Sequence, residues 1–277
     1  MTQTILITGT SSGLGRATAK LFRSRGWNVV ATMRDPGAER ELTELDNVLV
    51  ARLDVQDSAS VDSAVDAALT RFGRIDVPVN NAGYGAYGPL EATPLDKIRR
   101  QFDVNVFGLL ATTKALLPHF RANRSGTIVN ISSIGGRVAF PLGTLYHGTK
   151  FAAEGISEAL QYELTEIGVR VKIVEPGNIR TDFAGRSFDF SNDPALSEYQ
   201  PMVEAVFSAF GPMVADAPEP EIIAETVHQA VTDGTDTLRY VAGADAERLL
   251  KARTGADDAT FFAGMRAQFG LGAASAC

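Results

Sequence analysis

Short runs rich in β-branched residues punctuate the chain from end to end: TILIT, NVVAT, VLVARLDV, IDVPVN, GTIVNIS, VRVKIVE and LRYVAG. Between them lie segments with apolar residues at three- and four-residue spacing, such as GRATAKLFRSRG and SASVDSAVDAALTRFG, each closed by a glycine that suits a helix C-cap. Strands that alternate with helices of this length predict an α/β fold, a parallel sheet of about seven strands covered by helices on both faces. With 277 residues, 45% of them hydrophobic, the chain fits one large domain spanning 1–277 around a single core. One run fits poorly, because Pro78 falls inside IDVPVN and proline cannot donate to a central ladder. A strand with a local defect is expected there.

The alternation pauses after EPGNIRTD. Residues 183–216 hold Phe, Tyr, Gly and Pro without a clear strand, a longer connection than compact domains normally use, and read as a lid. A helical extension is expected at about 245–270, after the last strand. Lys and Arg number 26 against 33 Asp and Glu, a net charge of −7 without a basic run, so nucleic acid and anionic membrane surfaces are disfavoured as partners. Cys277 is the one cysteine, which excludes an internal disulfide and a Cys-rich metal site and fits a reducing cytoplasm. The three histidines lack partners at ligand spacing, so no metal site is expected. No leader-like segment or long apolar run is visible, and a soluble, unprocessed chain is expected.

Two local patterns carry chemistry. The first strand runs directly into TGTSSGLG, placing Gly9, Gly13 and Gly15 in a strand-to-helix turn. Glycines there allow a tight turn and close approach of backbone N–H groups to a pyrophosphate, while the helix N-terminus adds partial positive charge. Further on, Tyr146 and Lys150 stand four apart and share a helix face. A nearby ammonium favours the phenolate of a group that otherwise titrates near pH ~10. That pair alone is a weak signal, since a half-buried ring beside a solvated lysine gives the same pattern.

Taken together, T-G-x-x-x-G-x-G at Thr8 to Gly15, NNAG at 80–83, Asn105 in FDVNVFG, Ser133 in NISS, Tyr146, Lys150 and PGNIRT at 176–181 resemble the short-chain dehydrogenase/reductase family, in order and spacing from about residue 4 to 182. The resemblance implies a Rossmann-type doubly wound sheet and an oxidoreductase. It implies that Tyr146 is the acid/base, that Lys150 lowers its pKa and holds the nicotinamide ribose, and that Ser133 hydrogen-bonds the substrate oxygen, in preference to Ser132. Asn105 would hold a water leading to Lys150; an asparagine bonded to backbone is the alternative reading, and both can hold. His147 is given no role.

For the cofactor, the resemblance implies contacts from Gly9, Ser11, Ser12, Gly13, Leu14 and Gly15, from Asp54 and Val55 around the adenine, and from Asn81, Ala82 and Gly83. Pro176, Gly177, Ile179 and Thr181 would border the nicotinamide, with Tyr146 and Lys150. Met33 sits where NAD-preferring members carry aspartate and Arg34 where NADP-preferring members carry arginine, so NADP(H) is favoured and NAD(H) remains possible. Asp35 begins a DPG turn and lies beyond the strand. The glycine loop lacks the basic residue that some NADP users have.

The lid holds Phe183, Phe188, Phe190, Tyr199, Phe207 and Phe210 with Met202 and Met213 nearby, a surface suited to an apolar or aromatic carbonyl compound, although any one ring can simply pack the lid to the body. The resemblance extends to the 17β-hydroxysteroid and retinol dehydrogenase branch and to bacterial ketoreductases. It implies a ketone or secondary alcohol as small-molecule substrate and a homodimer or homotetramer formed through 107–120 and 147–166. A hydroxysteroid- or retinol-type dehydrogenase that prefers NAD is the alternative enzyme. A dinucleotide sensor without catalysis is the rival of a different class, but it has no use for the Ser133, Tyr146 and Lys150 set.

Overall fold

The structure is a computed structural model that describes residues 2–181, 187–215 and 217–272, apart from the side chains of 212–215. Phe183, the side chain of Met213 and Cys277 lie outside the described residues. The first half of the chain runs β1 (Thr4–Thr8), α1 (Gly13–Ser24), β2 (Asn28–Met33), β3 (Val48–Arg52), α2 (Ser58–Phe72), β4 (Val77–Asn80) and the short β5 (Gly85–Tyr87). Then come α3 (Leu95–Phe102), a π-helical turn at Asp103–Phe107, α4 (Gly108–Asn123), β6 (Gly126–Ile131), α5 (Thr144–Thr165) and β7 (Val169–Pro176). The remainder comprises β8 (Phe188–Phe190), α6 (Gln200–Ala215), α7 (Pro220–Thr232), β9 (Arg239–Ala242), α8 (Ala244–Thr254) and α9 (Asp258–Gln268).

Seven strands form one sheet in the order β3-β2-β1-β4-β6-β7-β9, with every neighbouring pair parallel. The chain moves outward from β1 to β3 and returns to β4 on the other side of β1, so a crevice opens where the order reverses. Strand β1 shows why the sheet needs cover on both faces. All five of its residues are buried: Ile5 and Ile7 enter one core with Phe22 of α1 and Ile223 and Val227 of α7, and Leu6 enters the opposite core with Val61, Leu116 and Phe120 of α2 and α4. Helix ends follow the sequence closely. Asp57 caps α2 by accepting from the Ser60 N–H at 3.2 Å, and Gly73 ends it in the left-handed region at φ 77°.

Pro78 does lie in a strand. β1 pairs with β4 from Val77 to Val79, whereas the ladder from β4 to β6 covers only Val79 and Asn80, starting beyond the proline. The expected defect is therefore a shortened ladder on one side.

The lid expectation needs a correction. The segment after Thr181, read as lacking a strand, contains β8, which pairs in parallel with β5 and forms a small second sheet, followed by the helix α6. Three residues are too few to show a periodic pattern, and the partner strand is a long way off in sequence. Val203 and Val206 of α6 share a third apolar cluster with Ile134 and Val138 near Ser133 and with Phe261, Met265 and Phe269 at the C-terminal end. The helices at 244–254 and 258–268 occupy the stretch where an extension was expected.

Candidate active site

The crevice floor is built from the ends of β1 and β4. Gly9 (φ 75°) and Gly13 (φ 56°) take backbone conformations that disfavour other residues, and a Cβ on Gly15 would run into the Gly9 carbonyl and the Asn81 amide. Asn81 braces this turn: its Nδ2 donates to the carbonyls of Thr8 at 2.8 Å and Gly9 at 3.2 Å, while the N–H groups of Asn81 and Ala82 donate to Thr8 Oγ1 at 3.0 and 2.9 Å. Ser12 begins α1 in an extended conformation and makes no side-chain cap, which leaves the first N–H groups of that helix for another acceptor. Ser11 is exposed. The Leu14 side chain is buried in the core, so only its backbone faces the turn.

At the end of β2, Met33 is buried, while Arg34 is exposed and makes no hydrogen bond or ion pair with the described residues. Asp35 is occupied: its Oδ1 accepts from the Gly37 N–H at 3.1 Å and caps a short 3-10 turn. Asp54 likewise accepts from the Gln56 N–H at 3.1 Å, and Val55 packs so close to Gly108 that no Cβ would fit there. A glycine turn in which Gly15 has no room for a Cβ, together with uncapped helix N–H groups, fits the pyrophosphate of a nicotinamide dinucleotide.

Tyr146 lies in the first turn of α5 and Lys150 one turn later. Ser133 follows β6, where its Oγ accepts from the Gly135 N–H at 2.9 Å, donates toward the Pro176 carbonyl at 3.4 Å and hydrogen-bonds Tyr146. Ser132 Oγ instead lies beside Gly136 and Glu154. Lys150 Nζ donates to the Ile131 carbonyl at 2.8 Å and stands 5.7 Å from the Tyr146 ring centre. Burial raises the Tyr146 pKa, an effect opposed by the Ser133 hydrogen bond. Burial also pulls Lys150 down to about 8, against the carboxylate of Glu154. The expected lowering of the phenol by lysine is thus not the balance among the protein's own groups, because both side chains are desolvated together and the ammonium is directed at a carbonyl.

Asn105 sits in the π-helical turn between α3 and α4. Its Nδ2 donates to the Tyr84 carbonyl at 2.9 Å and to Thr149 Oγ1 at 3.1 Å, and its Oδ1 accepts from the Tyr84 N–H at 3.1 Å. The backbone-bonded reading of this residue is therefore present in the structure. Gly83 faces the Asn105 carboxamide, with 3.2 Å from the place of a Cβ to Oδ1. Beyond β7, Thr181 comes within 3.4 Å of the place where a Cβ on Gly13 would sit, so the 176–181 loop meets the glycine turn. Ile179 packs on the core.

Several supporting residues went unnoticed in the sequence. Buried Gln101, one turn before Asn105, donates to the Tyr84 carbonyl at 2.9 Å and accepts from the Ala86 N–H; the i, i+4 polar pair on one helix was a usable signal. Asp245 accepts from the backbone and side chain of Asn178 at 2.8 and 3.1 Å and fixes the loop that carries Gly177. Arg239 bridges Glu154 at 2.9 Å and buried Glu175 at 3.3 Å, and Arg137 reaches Glu175 at 2.9 Å, tying α5, the Ser133 loop and the ends of β7 and β9 together. Those pairs are distant in sequence and leave no local pattern. Among the described residues no group of acidic, His or Cys side chains is arranged to hold a metal, and no helix is long and apolar enough to cross a membrane.

A family model described as short chain dehydrogenase matches residues 3–192. The chain belongs to the short-chain dehydrogenase/reductase family. An uncharacterised oxidoreductase of Schizosaccharomyces pombe is 45% identical over 244 residues, covering 86% of this chain and 100% of that protein. The 17-beta-hydroxysteroid dehydrogenase type 1 of Mus musculus is 34% identical over 251 residues, covering 85% and 72%. A short-chain dehydrogenase from Streptomyces avermitilis has a similar structure, with TM-score 0.81, 34% identity and coverage of 98% and 99%. Similar structures are also described with NADP, from Burkholderia cenocepacia J2315 (TM-score 0.75, 25% identity, 95% and 97% covered), and with NADH, from Brucella melitensis (0.72, 29%, 87% and 97%).

His147 is a structural member of this short-chain dehydrogenase's site. Its Nδ1 meets the Gly135 carbonyl at 2.9 Å and its Nε2 accepts from the Phe140 N–H at 3.0 Å, which sets the neutral ring with the proton on Nδ1. Burial depresses its pKa from 6.5 to about 4. The unfolded chain therefore takes up the proton first, and stability is lost as pH falls from 6.5 toward 4, by up to about 3 kcal/mol. Urea unfolding followed between pH 7 and 4 should show this loss, and His147→Gln should flatten that part of the profile.

Proposed function

We propose that the chain is an NADP-dependent carbonyl reductase and alcohol dehydrogenase that interconverts an apolar or aromatic ketone and its secondary alcohol. The observation that carries this reading is the convergence of Ser133, Tyr146 and Lys150, with the 176–181 loop meeting Ser133 at Pro176 and the glycine turn at Thr181. The bound nicotinamide supplies hydride for reduction or accepts it for oxidation. Ser133 Oγ holds the substrate oxygen, and the Tyr146 hydroxyl gives its proton to that oxygen as the carbonyl becomes an alcohol; oxidation reverses both movements. Lys150 keeps positive charge beside the phenol and holds the ribose, and Asn105 secures the helix turn that carries Thr149.

Gly9, Ser11, Ser12, Gly13, Leu14 and Gly15 would enclose the pyrophosphate, Asp54 and Val55 the adenine, and Ala82, Gly83, Pro176, Gly177, Ile179 and Thr181 the nicotinamide half. Arg34 supports the preference for NADP, since a free guanidinium at the end of β2 suits a 2′-phosphate while the nearby Asp35 is committed to its turn. The lid at 183–216 would close over substrate as part of the single domain. A cytoplasmic homodimer or homotetramer completes the proposal; Phe107, Phe151 and Tyr162 leave 60%, 47% and 81% of their surfaces exposed on the helices expected to pair.

NADPH and NADH consumption at 340 nm with aromatic, aliphatic and steroid-like ketones tests the reading. Turnover with NADPH is expected, with Tyr146→Phe lowering kcat by about 10²- to 10⁴-fold. Arg34→Ala should raise the KM for NADPH roughly 10- to 100-fold and leave that for NADH unchanged; faster turnover of the wild type with NADH would sink the cofactor preference. Light scattering should give a dimer or tetramer mass that Phe151→Asp shifts toward monomer.

A further inference from the structure

Tyr87, a residue that neither the glycine turn nor the proton chemistry uses, stacks directly on the candidate acid/base. Its ring centre lies 5.4 Å from that of Tyr146 with 27° between the planes, and 5.2 Å from Phe188 on its other contact with 29° between them. Phe188 in turn lies parallel to Phe190 at 6.1 Å and 5°. Four aromatic rings thus continue from the phenol at the end of the crevice out to β8. On the side of Tyr87 away from the helix that carries Tyr146, a cavity of about 10 Å³ lies between Tyr87, Phe188, Phe190, Val206, Phe207 and Phe210, too little for any organic substrate.

The backbone of Tyr87 is fixed by hydrogen bonds, its side chain by packing. Tyr87 is paired with Phe190 in the β5–β8 ladder, its carbonyl accepts from the Ser191 N–H at 2.9 Å, and the following Gly88 donates to the Leu142 carbonyl at 2.8 Å. The hydroxyl of Tyr87 makes no hydrogen bond within the described residues, so the ring is held by ring contacts alone: stacked on Tyr146 and Phe188, and at near right angles to His147 and Phe210. Whatever brings a carbonyl to Tyr146 must share or replace these ring contacts. A flat π-system can take over offset stacking with Tyr87 and Phe188, whereas a saturated ring of the same size cannot.

We infer that Tyr87 is a specificity-determining residue, and that with Phe188 it selects ketones carrying a flat aromatic or conjugated face next to the carbonyl over saturated ketones of equal size. This rests on the reading of Tyr146 as the acid/base and narrows the substrate class within it. Sequence reading missed Tyr87 because it stands apart from the lid rings, in the short strand after NNAG, and comes to them only through the β5–β8 pair.

The test compares 2-acetonaphthone with 2-acetyldecalin, a matched flat and saturated pair, in the full-length protein with NADPH for turnover and with NADP⁺ for equilibrium dialysis. The wild type should favour the flat ketone about 10-fold in kcat/KM and in Kd. Tyr87→Phe should keep that ratio, and Tyr87→Leu should bring it to within about 2-fold of unity, acting on KM more than on kcat. Phe188→Leu should lower the ratio part-way, and it carries the test if Tyr87→Leu does not fold. A ratio that survives both leucine variants, or one that Tyr87→Phe abolishes, overturns the inference, as does equal or absent binding of the two ketones by the wild type. A flat-face preference in dialysis that Tyr87→Leu removes, without turnover of either ketone, leaves the inference standing and overturns the reductase reading instead.

Discussion

The carboxamide of Asn81 holds together the two halves of this sheet where the strand order reverses. It follows β4, yet both of its donor contacts go to the carbonyls that end β1. Removing that carboxamide would take a donor from both carbonyls, and a buried polar group left unpaired costs about 1–3 kcal/mol. Satisfied from across the reversal, they let the chain leave β1 through Gly9 in a left-handed conformation and enter α1 with its N–H groups uncapped. A cradle for phosphate is thus a by-product of how β1 is joined to β4, which is why the turn tolerates no Cβ at Gly15.

The end of the site at Tyr146 and Lys150 depends on a different balance. Burial acts on Tyr146 and Lys150 in opposite directions, raising the phenol and lowering the ammonium, so it disfavours the charged form of each. Glu154, one turn after Lys150, opposes the loss of the ammonium, and its own carboxylate is anchored by Arg239. Its pKa is raised, first by burial and then by the neighbouring Glu175, while Arg239 counters both. The helix face that begins with Tyr146 therefore continues through Lys150 into a buried ionic cluster. Breaking such a cluster by removing one partner leaves an uncompensated charge, a larger penalty than the cluster's net contribution to stability.

How much of this was legible depended on sequence distance. The strands of the main sheet, their alternation with helices, and the αL glycine that ends α2 all rest on short-range patterns, and the structure reproduces them. Ser133, Tyr146 and Lys150 were readable because their spacing is fixed by one strand, one loop and one helix. Strand β8 was not readable: three residues carry no period, and its partner β5 lies about a hundred residues earlier. The same holds for Asp245 on the 176–181 loop and for Arg239 between two glutamates, each joined to the site only through the folded sheet. Spacing along a helix likewise shows which charges are near Tyr146 but not how much water they lose, and burial is the larger effect on that phenol among the protein's own groups.

Asn105 shows how one local irregularity can serve several purposes. An α-helix running unbroken from Leu95 to Asn123 would place Gln101 and Asn105 on one face at ordinary i, i+4 spacing. The π-turn at Asp103–Phe107 widens that step, and both side chains then reach the single backbone segment from Tyr84 to Ala86, with Asn105 also meeting Thr149 in α5. That segment leads directly into Tyr87. The strand that stacks a ring on Tyr146 and the helix that carries Tyr146 are consequently positioned by the same asparagine. A change at Asn105 would displace Tyr146 and the ring stacked on it together, so loss of activity in such a variant could not by itself assign the residue to proton transfer.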